Sequence, residues 1–126
     1  MKRFLPPLAV LAAILALSLW NARVMESQTS HLRSQLLQAQ ELAAAENWPG
    51  AENVLADSYA DWTSRQTYLH IVTEHDAVDD AEAMYQRAQA FAAVRETAEF
   101  QAEITDLRDQ LRLLSEMEAC SIRNIL

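Results

Sequence analysis

The 126 residues predict an all-α protein: an N-terminal transmembrane helix followed by an antiparallel three- or four-helix bundle, arranged as two helical hairpins. Three observations carry this. Backbone breakers are scarce: Gly50 is the only glycine, the prolines are Pro6, Pro7 and Pro49, and neither residue type occurs from Ala51 onward. Ala, Leu, Glu, Gln and Arg dominate, all good helix formers, and no stretch alternates with period two. Finally, the chain opens with two basic residues and a long apolar run. The length suits one small domain and little more.

The opening "MKRFLPPLAVLAAILALSLW" has seventeen uncharged, mostly apolar residues from Phe4 to Trp20. As a helix they span roughly 26 Å, just under a hydrocarbon core of about 30 Å. Trp20 suits the membrane–water interface, and Lys2 and Arg3 hold the N-terminus in the cytoplasm by the positive-inside rule. Residues 1–23 are therefore read as an uncleaved signal-anchor and residues 24–126 as an extracytoplasmic domain. A cleaved signal peptide competes, because Ala16-Leu17-Ser18 has the small-x-small form a peptidase accepts. The anchor is preferred because the apolar run continues to Trp20. A buried core helix fits poorly, since no polar face interrupts the run.

No Gly or Pro falls between Pro7 and Pro49, so the anchor is able to continue as a stalk, about 60 Å long if residues 8–48 are wholly helical. "ESQTSH" (26–31) is its weak point, because Ser and Thr compete for the backbone. Beyond it Leu32, Leu36, Ala39 and Ala43 follow helical spacing. "ENWPGAEN" (46–53) is the clearest break. Pro49 fits the first turn of the next helix, with Glu52 placed in its positive N-terminal turn. That helix carries Ala51, Leu55, Tyr59 (or Ser58), Trp62, Leu69 and Val72 along one side. Trp48 and Trp62 are expected in the core; a carbohydrate or ligand platform is the competing role for such aromatics.

The third helix begins after Thr73, an N-cap with Asp76 three residues on, and buries Val78, Ala81, Tyr85, Ala88 and Phe91 or Ala92. A fourth starts near Thr97 and buries Phe100, Ile104, Leu107, Leu111 and Leu114. "AQELAA" (39–44) recurs as "AQAFAA" (88–93), each before a proposed turn, an echo that alanine-rich helices also produce by chance. At the end, Asn124 is expected to close the last helix, with Ile125 and Leu126 folding back on the bundle; a frayed tail is the alternative.

Charge and motifs restrict the function classes. The net charge of −8, or −10 once Lys2 and Arg3 are set aside, argues against a nucleic-acid partner. Cys120 is the only cysteine, which excludes an intrachain disulfide and leaves a buried small residue or a cross-link between two copies. No Gly-rich phosphate loop, nucleophile elbow or neighbouring Cys–His pair is present, so the chain is read as no enzyme, with no catalytic residues and no cofactor. One stretch stands out: "LHIVTEHDAVDDAE" (69–82). His75, Asp79 and Glu82 stand at i, i+4 and i+7 on one helix face, and His70 would join from the preceding helix. Imidazole with two carboxylates is a ligand set for zinc, manganese or iron, though the spacing matches no specific motif. The bland reading is favoured: the acids complement the positive end of a helix and face water, and His75 caps or packs at the hairpin. A His–carboxylate pair titrating near neutrality would also serve as a pH sensor. His31 lies too far along the chain to count toward the set.

A basic start, a single anchor, a helical domain with Trp62 near its middle, the pattern His75-x3-Asp79-x2-Glu82 and the ending Ser121-x2-Asn124-Ile125-Leu126 together resemble a family of small bacterial proteins, mainly from Firmicutes, anchored at the N-terminus and of unknown function. The resemblance spans nearly the whole chain. It implies export and an all-helical extracytoplasmic domain, and supplies no catalytic residues. High alanine and arginine with low lysine depart from low-GC relatives and suggest a GC-rich genome.

The functional expectation is a single-pass protein of the bacterial cytoplasmic membrane, held by residues 4–20, with its C-terminal domain outside. It acts as an interaction or accessory module for another membrane or envelope protein, with a homodimer as a further arrangement. The alternative is a metal-binding sensor or carrier using the His75/Asp79/Glu82 face.

Overall fold

A computed structural model describes the backbone of residues 5–72 and 75–125, and the side chains of 6–20, 22–24, 26–65 and 76–117. Four helices follow one another: α1 (Leu5–Ala44), α2 (Trp48–Val72), α3 (His75–Ala93) and α4 (Thr97–Ile125). The all-helical expectation holds, and the count is four. The apolar stretch and the first packed helix are one element, since α1 crosses the expected 23/24 boundary without interruption. "ESQTSH" does not break it either. Thr29 Oγ1 donates to the Glu26 carbonyl at 3.2 Å, and Thr29 itself is buried. A hydroxyl satisfied within its own helix no longer competes with the helical ladder.

Each helix packs against two others: α1 against α2 and α4, and α3 against α2 and α4. Cross-helix hydrogen bonds show that neighbours run antiparallel. On α1 and α4, Gln40 and Gln101 exchange side-chain amide to backbone carbonyl bonds at 3.3 and 3.0 Å, while Glu26, nearer the start of α1, meets Ser115, nearer the end of α4. On α3 and α4, Arg87 Nε donates to Glu103 at 2.8 Å and Gln110 donates to the Ala77 carbonyl at 2.9 Å.

The core is the expected set of stripes. Leu32, Leu36, Ala39 and Ala43 of α1, Ala51, Leu55 and Trp62 of α2, Val78, Ala81, Tyr85 and Ala88 of α3, and Phe100, Ile104, Leu107, Leu111 and Leu114 of α4 are all buried. The two open choices resolve to Ser58 and Ala92, with Tyr59 and Phe91 half-buried at the edge of the core. Trp48 and Trp62 are both buried, as expected of core residues; Trp48 meets the Phe100 ring edge-on at 5.3 Å between centroids. Small alanines on facing helices let backbones approach, and large Leu, Ile and aromatic side chains fill the remaining space.

The echo at 39–44 and 88–93 proves to be structural. Both segments end in the same turn, 49 residues apart. In the first, the Asn47 N–H donates to the Leu42 carbonyl at 2.8 Å and the Glu46 N–H to Ala43 at 3.0 Å; in the second, Glu96 donates to Phe91 at 3.0 Å and Arg95 to Ala92 at 3.2 Å. These paired bonds form the Schellman motif, which needs a left-handed residue at its apex. Glu46 (φ 61°) and Arg95 (φ 56°) supply it, each a side-chain-bearing residue where glycine is preferred. The glycine that follows serves the next helix instead. Asn47 Oδ1 accepts from the Gly50 N–H at 3.1 Å, capping α2, and a Cβ on Gly50 would lie 2.7 Å from Asn47 Nδ2.

Two expectations are corrected. The first turn of α2 holds no acid, because the helix starts at Trp48 and leaves Glu52 in the second turn. α4 runs to Ile125, one residue past the expected stop at Asn124, while the side chain of Ile125 and all of Leu126, expected to fold back, lie outside the described residues. Asp76 does stand in the first turn of α3, while Thr73 lies outside the described residues, as do the side chains of Leu69 and Val72.

Candidate functional site

The acid–histidine face resolves only in part. Asp79 is exposed on α3. Glu82, half-buried one turn further on, turns toward α2. Its Oε1 accepts from the Tyr59 hydroxyl at 2.5 Å and its Oε2 from Trp62 Nε1 at 2.8 Å, with Gln86 Nε2 at 3.3 Å from Oε1. The side chains of His70 and His75 lie outside the described residues. Among the described residues no three His, Cys, Asp or Glu side chains are grouped as metal ligands.

What the fold assembles there is a polar–aromatic cluster between α2 and α3. Trp62, Ser58 and Tyr85 are wholly buried, and the Ser58 and Tyr85 hydroxyls are 2.8 Å apart. Tyr85 meets Tyr59 edge-on at 5.6 Å and Trp62 at a tilt at 5.8 Å. The geometry follows from helical spacing: Ser58, Tyr59 and Trp62 face α3 together, and Glu82 and Tyr85 stand three apart on α3. The hydrogen bond to the Glu82 carboxylate, reinforced by burial, raises the Tyr59 pKa. Burial raises that of Tyr85. Both phenols therefore stay protonated at neutral pH. They are poor general bases or nucleophiles, and good fixed donors and packing groups. The cluster is chemically a clamp: it satisfies the indole and hydroxyl groups that would otherwise be orphaned between two helices.

A second polar cluster was not foreseen. His31 Nε2 of α1 lies 3.2 Å from Asp61 Oδ2 of α2, and Gln35 Nε2 donates to the same oxygen at 2.9 Å. The Gln35 bond, with His31 contributing hydrogen bonding and charge, lowers the Asp61 pKa. The only available signal, a histidine and a carboxylate thirty residues apart, is too common to use.

The third feature is the N-terminal half of α1. Leu8, Val10, Leu11, Ile14, Leu17, Leu19 and Trp20 are all exposed. This stretch is long and apolar enough to cross a membrane, and none of it is buried.

Fold and surface thus define a class: an all-helical protein of four helices whose first helix qualifies as a membrane span. Within that class, the chain belongs to the family described as Domain of unknown function (DUF4363), which it matches over residues 19–125. The match takes in all of α2, α3 and α4 and begins at the end of the apolar stretch. It agrees with the resemblance seen in the sequence at the level of a family without an assigned activity. No curated protein and no solved structure matches the chain.

Proposed function

We propose that this chain is a membrane-anchored, extracytoplasmic interaction or accessory protein and not an enzyme. It is held in a bacterial cytoplasmic membrane by residues 4–20, with its four-helix region outside and another membrane or envelope protein as partner. The observation that carries the reading is α1. One uninterrupted helix has no buried side chain among the described residues of its apolar first half and is buried along Leu32, Leu36, Ala39 and Ala43 in its second. Such a helix couples a bilayer span rigidly to a folded head, which suits a module that presents a surface at fixed height. Lys2 and Arg3 ahead of the apolar run support the outward orientation. The polar clusters support a non-catalytic role, because their groups are mutually satisfied donors and acceptors.

The metal-binding alternative draws less support, since Glu82 spends both carboxylate oxygens on Tyr59 and Trp62. Topology is tested with an impermeant maleimide on intact cells carrying Glu99→Cys in a Cys120→Ser background. Labelling before lysis is expected; labelling only after lysis places the head in the cytosol and overturns the reading. Cross-linking in native membranes tests the accessory role: a discrete adduct with an envelope protein is expected, and recovery of the chain alone under all conditions removes it.

A further inference from the structure

Two bonded pairs fix the register of the α1–α4 seam. Glu26 meets Ser115 near one end and Gln40 meets Gln101 near the other, equally spaced along both helices. Midway between them, seven residues from each pair, stand Arg33 on α1 and Arg108 on α4. Seven residues make two helical turns to within about 20°, so both arginines face this seam at one height. Side chains of all four helices are described at that height, with Asp61 of α2 beside His31 and Ala77 of α3 beside Gln110.

The two arginines are half-buried and lack acidic partners. Among the described residues no carboxylate makes an ion pair with either. Both Nε atoms are shut off from solvent and have no hydrogen-bond acceptor. Arg108 Nη1 donates to Gln40 Oε1 at 3.4 Å, a long contact to a neutral group. Asp61 is engaged by His31 and Gln35 on the other flank of α1. Buried guanidinium donors are normally paired, and water does not reach these two. Next to them, one turn from Arg33, Leu37 is 41% exposed. One turn from Arg108, Arg112 points outward and pairs with Asp109 and Glu116 of its own helix. No acid occurs on α1 between Glu26 and Glu41.

We propose that this patch is where the partner protein docks, with one Asp or Glu side chain of the partner seated between Arg33 and Arg108 and an apolar neighbour against Leu37. The proposal rests on the accessory-protein reading above. Charge complementarity selects the occupant. The chain carries −8 overall and repels an acidic surface, whereas here three arginines stand together. Each guanidinium takes a carboxylate through paired N–H bonds. Rotation of the flexible arginine stem turns Nε outward, so docking gives that donor the acceptor it lacks in the free chain. Leu37 favours a carboxylate carried on a protein, because a free anion leaves the leucine in water. Arg33 also stands about 20 Å beyond Trp20 along the helix, past a headgroup layer of roughly 5–7 Å, so lipid phosphate does not reach it.

The test is photocross-linking in native membranes with p-benzoylphenylalanine in place of Leu37. The same group in place of Asp80, exposed on α3 and diagonal to α1, is the control. A discrete Leu37 adduct is expected, and its cross-linked peptide should carry an Asp or Glu. Arg33→Met and Arg108→Met keep the apolar stem and remove the charge. Each should lower the adduct about tenfold, as loss of a charge-assisted hydrogen bond implies, while the Tm of the purified chain is unchanged or higher. The double change Arg33→Glu/Arg108→Glu should abolish the adduct, and changing the identified acid of the partner to arginine should restore it; a merely structural role for the arginines gives no such rescue. Undiminished adduct in both methionine variants, a cross-linked peptide without an acid, or an adduct with a second copy of this chain overturns the proposal. A Tm raised by millimolar inorganic phosphate, lost in both methionine variants and unaccompanied by a Leu37 adduct, assigns the arginines to a free anion and overturns the docking assignment. An adduct from position 80 alone refutes this docking site and keeps the accessory reading. No adduct from either position refutes both.

Discussion

Replacing Glu82 by alanine tests whether the α2–α3 cluster is a structural clamp. The change removes the acceptor of two donors of unequal standing. Trp62 Nε1 belongs to a residue with 0% exposure, so water cannot replace the lost oxygen. A buried donor left without a partner costs about 1–3 kcal/mol. Tyr59 is only half-buried, and its hydroxyl can be rehydrated, which adds a fraction of a kcal/mol. The expected loss is about 2 kcal/mol, or a fall in Tm of roughly 8–16 °C for a domain near 100 residues. Glu82→Gln, which keeps one carbonyl acceptor, should lose about half as much, since a charged acceptor is roughly twice as strong as a neutral one. Asp79→Ala, one turn away and exposed, should stay within about 0.5 kcal/mol. Thermal and urea unfolding of the full chain in mild detergent, followed at the helical dichroism band, reads all three. A cost below about 0.5 kcal/mol for Glu82→Ala refutes the clamp. Equal losses for Glu82→Ala and Asp79→Ala, relieved by added zinc or manganese, would show that the two acids act together as ligands.

Three further outcomes follow from the same structure. Glu46→Gly and Arg95→Gly relieve left-handed backbone at the two Schellman turns and should each raise stability by about 0.5–1 kcal/mol, read as a higher urea midpoint at unchanged slope. Leu107→Ala opens a cavity in a fully buried stripe and should cost about 2–5 kcal/mol; a smaller loss would mean that α4 is not packed as described. Because its folded pKa is depressed, Asp61 contributes stability that is present above its unfolded pKa near 3.8 and is lost as the pH falls through the lower folded value. Asp61→Asn should therefore flatten the fall in the urea midpoint between pH 5 and pH 2, by no more than about 1 kcal/mol for so exposed a pair.

The clamp and the Asp61 pair lie on helix–helix seams about midway along the helices, below the end that is opposite the apolar stretch. Polar linkages are spread along the helix seams, from Gln40–Gln101 near the two Schellman turns to Glu26–Ser115 nearer the apolar stretch.

Periodicity alone located the helices and their buried faces. Leu32 through Ala43, Val78 through Ala92 and Phe100 through Leu114 recur at three- and four-residue intervals, and burial follows wherever such a stripe is available. The break at Pro49 and the membrane-length apolar run were equally legible, because each depends on a few adjacent residues; the start at Thr97, which no Gly or Pro marks, was placed less firmly, from the apolar stripe that follows it. Which polar groups meet was not. Glu82 was grouped with Asp79 and His75 by spacing along one helix, yet it bonds Tyr59 and Trp62, 23 and 20 residues away. His31 finds Asp61 across 30 residues, and Glu26 finds Ser115 across 89. Spacing along a helix decides which side faces inward, a property of single turns. The partner of a side chain depends on how far one helix slides and rotates against the next, and that is settled only when every core side chain has been packed at once.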